Sequence, residues 1–272
     1  MPQPKPAQRL AKRIAAAGLC SRRGAEVLIK QGRVKLDGIT TTDCATNVTA
    51  AQEVMVDGVV LSPMARPRLW CYHKPRGLIV SHKDDQGRPT IFASLEESHP
   101  HLPRLISVGR LDLDSEGLML LTNNGDLARY LELPSTGWVR KYRLRVRAKQ
   151  AKATPLTEVC QQLGAGEGIT IDGIKYRPIT ASIDTPHKKT GGSNVWLTIA
   201  LVEGKNREIR RVMAHFGYAV SRLLRLSFGP FHLGKLNTGE ITEVQATRLK
   251  THLPASLSSA NDTKSNRHAY QR

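Results

Sequence analysis

Residues 138–148 are the longest strand candidate in the chain, and their pattern limits the folds that the chain can adopt. Lys or Arg occupies every second position from 141 to 147, whereas Tyr142, Leu144, Val146 and Ala148 fall on the alternate positions. Successive side chains of a strand point to opposite faces, so one face is apolar and the other is cationic. The pattern predicts a sheet with one face against a core, within a region that mixes strands and helices.

The chain is strongly basic. Its 272 residues suit one large domain or two smaller ones, and 41 Lys and Arg against 23 Asp and Glu give a formal net charge of +18. A field of this sign attracts polyanions, so nucleic acid is the expected partner. A basic peripheral membrane protein is the rival, but it would need an amphipathic anchor with bulky aromatic residues, and only 5% of this chain is aromatic.

No apolar stretch approaches the roughly 20 residues that cross a bilayer, and no apolar leader follows the first residues. We therefore expect a soluble, cytoplasmic protein without a membrane partner. Cys20, Cys44, Cys71 and Cys160 lie far apart, which favours reduced thiols over disulfides or a zinc site. His99 and His101 have no acidic or Cys partner at ligand spacing, so no metal site is expected.

The N-terminal part, residues 7–65, predicts a small module of two helices followed by hairpins. Ser21 separates the two helical patterns and can cap the second. The dipeptides Asp37-Gly38 and Asp57-Gly58 each follow a short Val-containing strand and predict tight hairpins.

Basic residues are concentrated in this module, with nine of them between positions 5 and 35 and only two acidic residues, Glu26 and Asp37, between positions 5 and 37. A solvated helix face is one interpretation. Cations gathered on so small a module are more typical of phosphate contacts. The residues expected to contact the nucleic acid here are Lys12, Arg13, Arg22, Arg23 and Arg33.

A larger domain is predicted over residues 68–250, after a linker with two prolines at 62–67. Its expected elements are strands at 69–73, 78–81, 118–122 and 195–202, a hairpin turn at Asp172-Gly173, and helices at about 126–131, at 155–164 and after Asn206, which is placed to cap the last of them. Residues 256–272 have little hydrophobic pattern and are predicted to be a disordered tail.

The most unusual segment is residues 108–125, Val-Gly-Arg-Leu-Asp-Leu-Asp-Ser-Glu-Gly-Leu-Met-Leu-Leu-Thr-Asn-Asn-Gly. Asp112, Asp114 and Glu116 alternate along it before an apolar strand. A calcium loop is disfavoured because the mid-loop glycine and the glutamate at position 12 are missing. A solvated acidic turn remains an alternative. Arg110 and the basic character of the chain favour chemistry beside RNA, since guanidinium groups stabilise the ionised form of a carboxylate.

This segment resembles the signature loop of RNA pseudouridine synthases, and its details are similar to the RsuA/RluB/RluE/RluF branch. Residues 72–77 (Tyr-His-Lys-Pro-Arg-Gly), 140–142 (Arg-Lys-Tyr) and 203–211 (Glu-Gly-Lys-Asn-Arg-Glu-Ile-Arg-Arg) agree with it. The N-terminal module resembles the alpha-L RNA-binding domain shared with a small-subunit ribosomal protein. Together these cover about residues 9–243. Ser115 stands where members commonly have Thr, which preserves the hydroxyl.

The resemblance implies an α+β fold: an alpha-L module and a synthase domain with a mainly antiparallel mixed sheet and flanking helices. It implies that Asp112 is the catalytic carboxylate that converts a uridine in RNA to pseudouridine. Attack on C1′ and removal of the C2′ proton both remain open as its role. Neither route requires a metal or redox carrier, so no cofactor is expected.

The resemblance also assigns roles to three further residues. Tyr142 would stack on the flipped uracil, although its strand parity also fits a core residue. Arg210 would pair with the catalytic aspartate from a distant helix, although a phosphate contact is an alternative. Arg110 would fill the space that the extruded nucleotide leaves. Other basic residues of the matching segments that are expected to contact RNA are Lys74, Arg76, Lys141, Lys205, Arg207 and Arg211.

The expected partner is ribosomal RNA or a ribosomal assembly intermediate, bound by a monomer. Large-subunit (23S) RNA is favoured because residues 74–77 and 204–208 look most like RluB members, with small-subunit (16S) RNA as the alternative. A non-catalytic RNA-binding assembly factor is the rival from another class. The presence of Asp112, Tyr142 and Arg210 together argues against it. A nucleosidase that releases uracil would share only the bond cleavage.

Overall fold

The structure, a computed structural model, describes residues 7–149, 153–184 and 194–258. The helices in these ranges are α1 Leu10–Ala16, α2 Arg22–Lys30, α3 Ile91–Ser98, α4 Gly125–Glu132, α5 Leu156–Gly164, α6 Glu208–His215, α7 Ala246–His252 and α8 Ala255–Ser258, with a short 3-10 helix at Pro134–Thr136. The strands are β1 Gln8–Arg9, β2 Val34–Leu36, β3 Ile39–Thr41, β4 Asn47–Val48, β5 Val54–Val56, β6 Val59–Val60, β7 Leu69–Lys74, β8 Ile106–Val108, β9 Glu116–Thr122, β10 Arg140–Ala148, β11 Ile169–Ile171, β12 Ile174–Tyr176, β13 Thr180–Ile183, β14 Asn194–Leu201, β15 Tyr218–Phe228, β16 Phe231–His232 and β17 Ile241–Glu243.

The N-terminal module packs α1 and α2 against a small sheet of order β3-β2-β5-β6. Oγ of Ser21 accepts a hydrogen bond from the Gly24 N–H at 3.0 Å, so the predicted cap is confirmed. Both predicted hairpins are also present. Asp37 and Asp57 have φ of 49° and 51°, and each is followed by a glycine at positive φ, as a two-residue hairpin turn requires.

The larger domain is built on a nine-stranded sheet whose main path is β13-β14-β10-β15-β9-β7-β17. Its neighbouring strands are antiparallel except at the centre, where β9 and β15 are parallel. Both faces of the sheet are buried, each in its own core. Along β7, Trp70 and Tyr72 point into the first core, and Leu69 and Cys71 point into the second. Residues of α3, α5 and α6 complete the first core, and residues of α4 and α7 complete the second.

Strand β10 follows the pattern expected from the sequence. Tyr142, Leu144 and Val146 are buried in the first core, and the alternate cationic positions point away from it. Ala148 is exposed rather than buried, because it lies at the end of the strand. No helix in the described ranges is long and apolar enough to span a bilayer.

Two local expectations are wrong, and a third falls mostly outside the described residues. Residues 78–81 form no strand; Ile79 makes only an isolated bridge to Thr90, the residue that caps α3. Asn206 does not cap α6, because the helix begins at Glu208 after Arg207 in a left-handed conformation. The expected tail starts within α8, and its remaining residues, 259–272, lie outside the described residues.

Candidate active site

The acidic loop between β8 and β9 is held by its own backbone and by two neighbouring segments. The Gly109 N–H donates to Oε1 of Glu132 on α4 at 2.7 Å. The Ser115 N–H donates to the Asp112 carbonyl at 3.1 Å, and the Gly77 N–H donates to the Leu113 carbonyl at 2.8 Å. The loop therefore has a defined turn at 112–115 that fixes where the acidic side chains leave the backbone.

Lys74 lies beneath this turn and is fully buried. Its ammonium group donates to the carbonyls of Pro75 at 3.0 Å, Asp112 at 3.2 Å and Ser115 at 2.9 Å, so each of its three N–H groups has an acceptor. Burial lowers the pKa of Lys74 to about 8, although the nearby carboxylates act in the opposite direction. The expectation that Lys74 contacts RNA is wrong, because the ammonium holds the loop from within.

Gly117 follows the loop where β9 meets β15. Its φ is 102°, and a Cβ at this position would lie 2.4 Å from the Arg225 carbonyl oxygen. Only a residue without a side chain allows the two backbones to approach so closely. The acidic loop therefore enters β9 at the point where β9 pairs in parallel with β15.

Two arginines from the start of α6 reach the carboxylate of Asp112. Nη1 of Arg207 lies 3.5 Å from Oδ2 of Asp112, and Nε of Arg210 lies 3.9 Å from the same oxygen. The Asp112 side chain remains 31% exposed, so a ligand can approach it from solvent. The structure thus brings together Asp112 and Arg210, which the sequence places about one hundred residues apart.

The closest carboxylate partner of Arg210 is nevertheless Asp114 and not Asp112. Nη2 of Arg210 lies 3.0 Å from Oδ2 of Asp114 and donates to the Asp114 carbonyl at 3.2 Å. Nη1 donates to the Val220 carbonyl at 2.8 Å, which ties the arginine to β15. Burial lowers the pKa of Arg210. The expected pairing with Asp112 is present only as the longer contact, so Arg210 mainly anchors the loop through Asp114.

Buried acids that the sequence reasoning missed shape the turn that carries Arg207. Oε2 of Glu208 accepts from the Lys205 N–H at 2.8 Å, and Oε2 of Glu203 accepts from the Lys205 ammonium at 2.5 Å. Burial raises the pKa of Glu208 to about 7. This network explains how Arg207 is kept in a left-handed conformation, which is uncommon for a residue with a side chain.

Tyr142 lies at the first core, where it is 8% exposed. The same core contains Leu111 and Ile209, which immediately precede Asp112 and Arg210. The ring therefore belongs to the layer on which both active-site segments rest. Its core interpretation is confirmed, and its expected contact with a base stays a prediction.

The other predicted RNA contacts of the larger domain divide into two groups. Arg76, Arg110, Lys141, Arg207 and Arg211 are exposed. Lys205 is also exposed, but its ammonium donates to the Lys175 carbonyl at 2.7 Å as well as to Glu203. The first group is accessible to a phosphate, whereas Lys205 would have to exchange its protein partners.

In the N-terminal module, Arg22 and Arg23 are exposed on α2. Lys12 forms an ion pair with Asp126 of α4 at 2.7 Å, so it also links the module to the larger domain. Arg33 pairs with Asp57 at 2.6 Å, and Arg13 donates to the Ser62 carbonyl at 2.9 Å. Three of the five predicted RNA contacts of this module therefore already have partners within the protein.

Within the described residues, no group of three or more His, Cys, Asp or Glu lies close enough to hold a metal ion. Glu116 instead pairs with Arg222 of β15, at 2.5 Å. Nothing in the local sequence indicates this pair, because its members are 106 residues apart.

Comparisons with known proteins agree with this fold. Residues 68–215 match the family model described as RNA pseudouridylate synthase, and residues 8–61 match the S4 domain model. A Rickettsia felis protein named "Uncharacterized RNA pseudouridine synthase" is 45% identical over 237 residues, which cover 87% of this chain and 96% of that protein. A Bacillus subtilis protein named "Ribosomal large subunit pseudouridine synthase B" is 34% identical over 244 residues, 89% of this chain and 94% of that protein.

A solved structure titled "Crystal structure of pseudouridylate synthase" superposes with a TM-score of 0.56 and 26% identity, covering 90% of this chain and 99% of that one. The fold is therefore that of an RNA-modifying isomerase with an S4 domain in front of it, and the expected α+β class is confirmed. The chain belongs to the RNA pseudouridine synthase family.

Proposed function

We propose that this pseudouridine synthase acts on large-subunit (23S) ribosomal RNA and that Asp112 is its catalytic carboxylate. The name of the Bacillus subtilis relative supports the large subunit. The single observation that supports Asp112 is its position: a carboxylate at the surface, faced by Arg207 at 3.5 Å and Arg210 at 3.9 Å.

The reaction breaks the N1–C1′ bond of a uridine, turns the uracil and joins its C5 to C1′, after which the C5 proton is lost. Asp112 can attack C1′ or remove the C2′ proton, since its carboxylate makes only long contacts with the arginines and keeps oxygen lone pairs free. The guanidinium groups hold the carboxylate in place without occupying it. Both routes remain part of the proposal.

The neighbouring residues have supporting roles in this proposal. Arg210 anchors the loop through Asp114, and Lys74 fixes the carbonyls on either side of the turn. Tyr142 offers one face of its ring to the uracil, and Arg110 takes the place of the extruded nucleotide in the RNA stack. The S4 module supplies further phosphate contacts through Arg22 and Arg23.

The catalytic assignment is tested with Asp112→Asn, which should abolish product formation and leave RNA affinity unchanged or slightly raised. Asn keeps the shape but is a far poorer nucleophile and base, and removing an anion from a cationic site cannot weaken its attraction for phosphate. The measurement is single-turnover tritium release from ribosomal RNA fragments that contain 5-tritiated uridine, with binding measured in parallel.

Asp172→Asn is the matched control, because Asp172 lies in the exposed β11–β12 hairpin at a positive φ that Asn also tolerates. Asp114→Asn should lower activity only in part, through a looser Arg210. Tritium release at the wild-type rate by Asp112→Asn would refute the assignment, and an inactive Asp114→Asn beside an active Asp112→Asn would move the reaction to Asp114. Mapping pseudouridines in 23S and 16S RNA from cells with and without the gene tests the subunit.

A further inference from the structure

An open pocket of about 330 Å³ lies between α6 and the junction of β10 with β15, next to the acidic loop. Four of its lining residues are cationic, namely Lys149, Arg207, Arg210 and Arg211. The rest of the lining comes from Ala214 and residues 218–220, so it contains no acidic residue.

The protein neutralises these four cations only in part. Arg210 has Asp114 at 3.0 Å, and Arg207 has only the longer contacts of 3.5 Å to Asp112 and 3.7 Å to Asp114. Arg211 reaches the neutral Asn206 side chain at 3.5 Å. Across the described ranges, no ion pair or hydrogen bond engages the Lys149 ammonium. The pocket thus gathers more positive charge than its carboxylate neighbours balance, which favours an anionic ligand.

The backbone fixes Lys149 at this place. It follows β10, and its N–H donates to the Gly217 carbonyl at 2.9 Å, in the turn between α6 and β15. Its position is therefore set by the same junction that carries Val220, the acceptor of the Arg210 guanidinium. Lys149 continues the cationic alternation of positions 141 to 147, but it lies one residue beyond the end of β10, and the sequence pattern alone does not assign it to a binding site.

We propose that this pocket binds a phosphodiester group of the RNA strand beside the target uridine, with Lys149 and Arg211 as its main contacts. The proposal rests on the proposed function. Two of the four cations also face Asp112, so a phosphate bound here lies on the strand that enters the active site. A volume near the lower end of the roughly 300–1,000 Å³ range of ligand sites suits one such group with part of its ribose.

The test compares Lys149→Ala and Lys149→Glu with Lys250→Ala and Lys250→Glu in the full-length protein. Lys250 is an exposed lysine on α7, which packs in the other core, so the control changes the net charge equally. Binding to a single-stranded ribosomal RNA fragment is measured from 50 to about 300 mM KCl, with circular dichroism as a check of folding.

Lys149→Ala should weaken binding about three- to tenfold and make the slope of log K against log salt shallower by about 0.7, the value for one phosphate contact on a single strand. Lys149→Glu should weaken it further, because it replaces a cation in the pocket with an anion. The Lys250 variants should bind as wild type does.

Salt slopes that do not differ between the Lys149 and Lys250 variants would overturn the proposal. A second outcome would also overturn it: inorganic phosphate, added at constant ionic strength, competes with RNA for the wild type but not for Lys149→Ala, while the salt slope of RNA binding is the same for both. The pocket would then bind free phosphate and not the RNA strand. A wild type that releases no tritium from any ribosomal RNA refutes the proposed function instead, and the binding slopes still decide the role of the pocket.

Discussion

Replacing Gly117 by Ala should destabilise the larger domain far more than the same change at Gly109, at the other end of the acidic loop. A Cβ at 117 would lie 2.4 Å from the Arg225 carbonyl oxygen, 2.7 Å from its nitrogen and 2.8 Å from a Leu224 methyl carbon. Two of these atoms belong to backbone in the centre of the sheet and cannot move aside singly. At Gly109, with φ of 68°, no atom lies within 4 Å.

The magnitude follows from two terms. A positive φ costs a residue with a side chain about 1–2 kcal/mol, and this term applies at both positions. Overpacking adds about 1–3 kcal/mol, and it applies at Gly117 alone. We therefore expect a loss of about 1–2 kcal/mol for Gly109→Ala and of about 2–5 kcal/mol for Gly117→Ala, out of a total of about 5–15 kcal/mol.

Urea unfolding measured by tryptophan fluorescence gives both values. Trp70, Trp138 and Trp196 all lie in the larger domain, so the signal excludes the N-terminal module. An unchanged dependence on urea concentration is required for the comparison. Equal losses for the two variants would refute the argument from the close approach of β9 and β15, because positive φ alone would then explain both.

Two further predictions concern Tyr142 and Lys74, the buried residues that lie next to the acidic loop. Tyr142→Phe should retain most of the tritium-release activity and Tyr142→Ala should lose most of it, since stacking on a base is worth about 1–3 kcal/mol and Phe keeps the ring; a Phe variant as inactive as a folded Ala variant would assign chemistry to the hydroxyl. Burial lowers the pKa of Lys74 to about 8 in the folded protein, so between about pH 8 and pH 10 the unfolded chain binds more protons at this residue than the folded one. The free energy of unfolding of the wild type should therefore rise with pH in this range, compared with that of Lys74→Met. Parallel urea titrations at pH 7 and pH 10 measure it, and a difference between the two proteins that does not change with pH would contradict the burial of a charged lysine.

Local chemistry in the sequence predicted much of the fold. The Asp-Gly turns, the Ser21 cap and the alternation along β10 depend on a few adjacent residues, and the structure confirms each of them. Residues 78–81 are a short apolar run but form no strand, because their one bridge, from Ile79, goes to Thr90 outside the sheet. Pairing depends on distant partners, and a local pattern does not identify them.

The same limit applies to the site. The acidic loop and the arginine-containing segment 203–211 were recognisable in the sequence, but the hydrogen-bond and ion-pair partners of their side chains were not. In the sequence, Lys74 cannot be distinguished from an exposed lysine. It is buried because its ammonium donates to loop carbonyls that are 38 and 41 residues later in the chain. Arg210 has two carboxylates within reach, Asp114 at 3.0 Å and Asp112 at 3.9 Å, and the sequence does not show which of them is nearer.

The parallel pairing of β9 with β15 has a consequence for the order in which a newly made chain becomes functional. Arg207 is 95 residues later in the chain than Asp112, and Arg222 is 106 residues later than Glu116. At about 5–20 residues per second, translation separates Asp112 from its arginine by roughly 5–20 s. The buried core of the S4 module is formed by residues 10–56, all of which precede the larger domain. During synthesis, a nascent chain therefore completes its nucleic-acid-binding end well before its carboxylate acquires the arginines that face it.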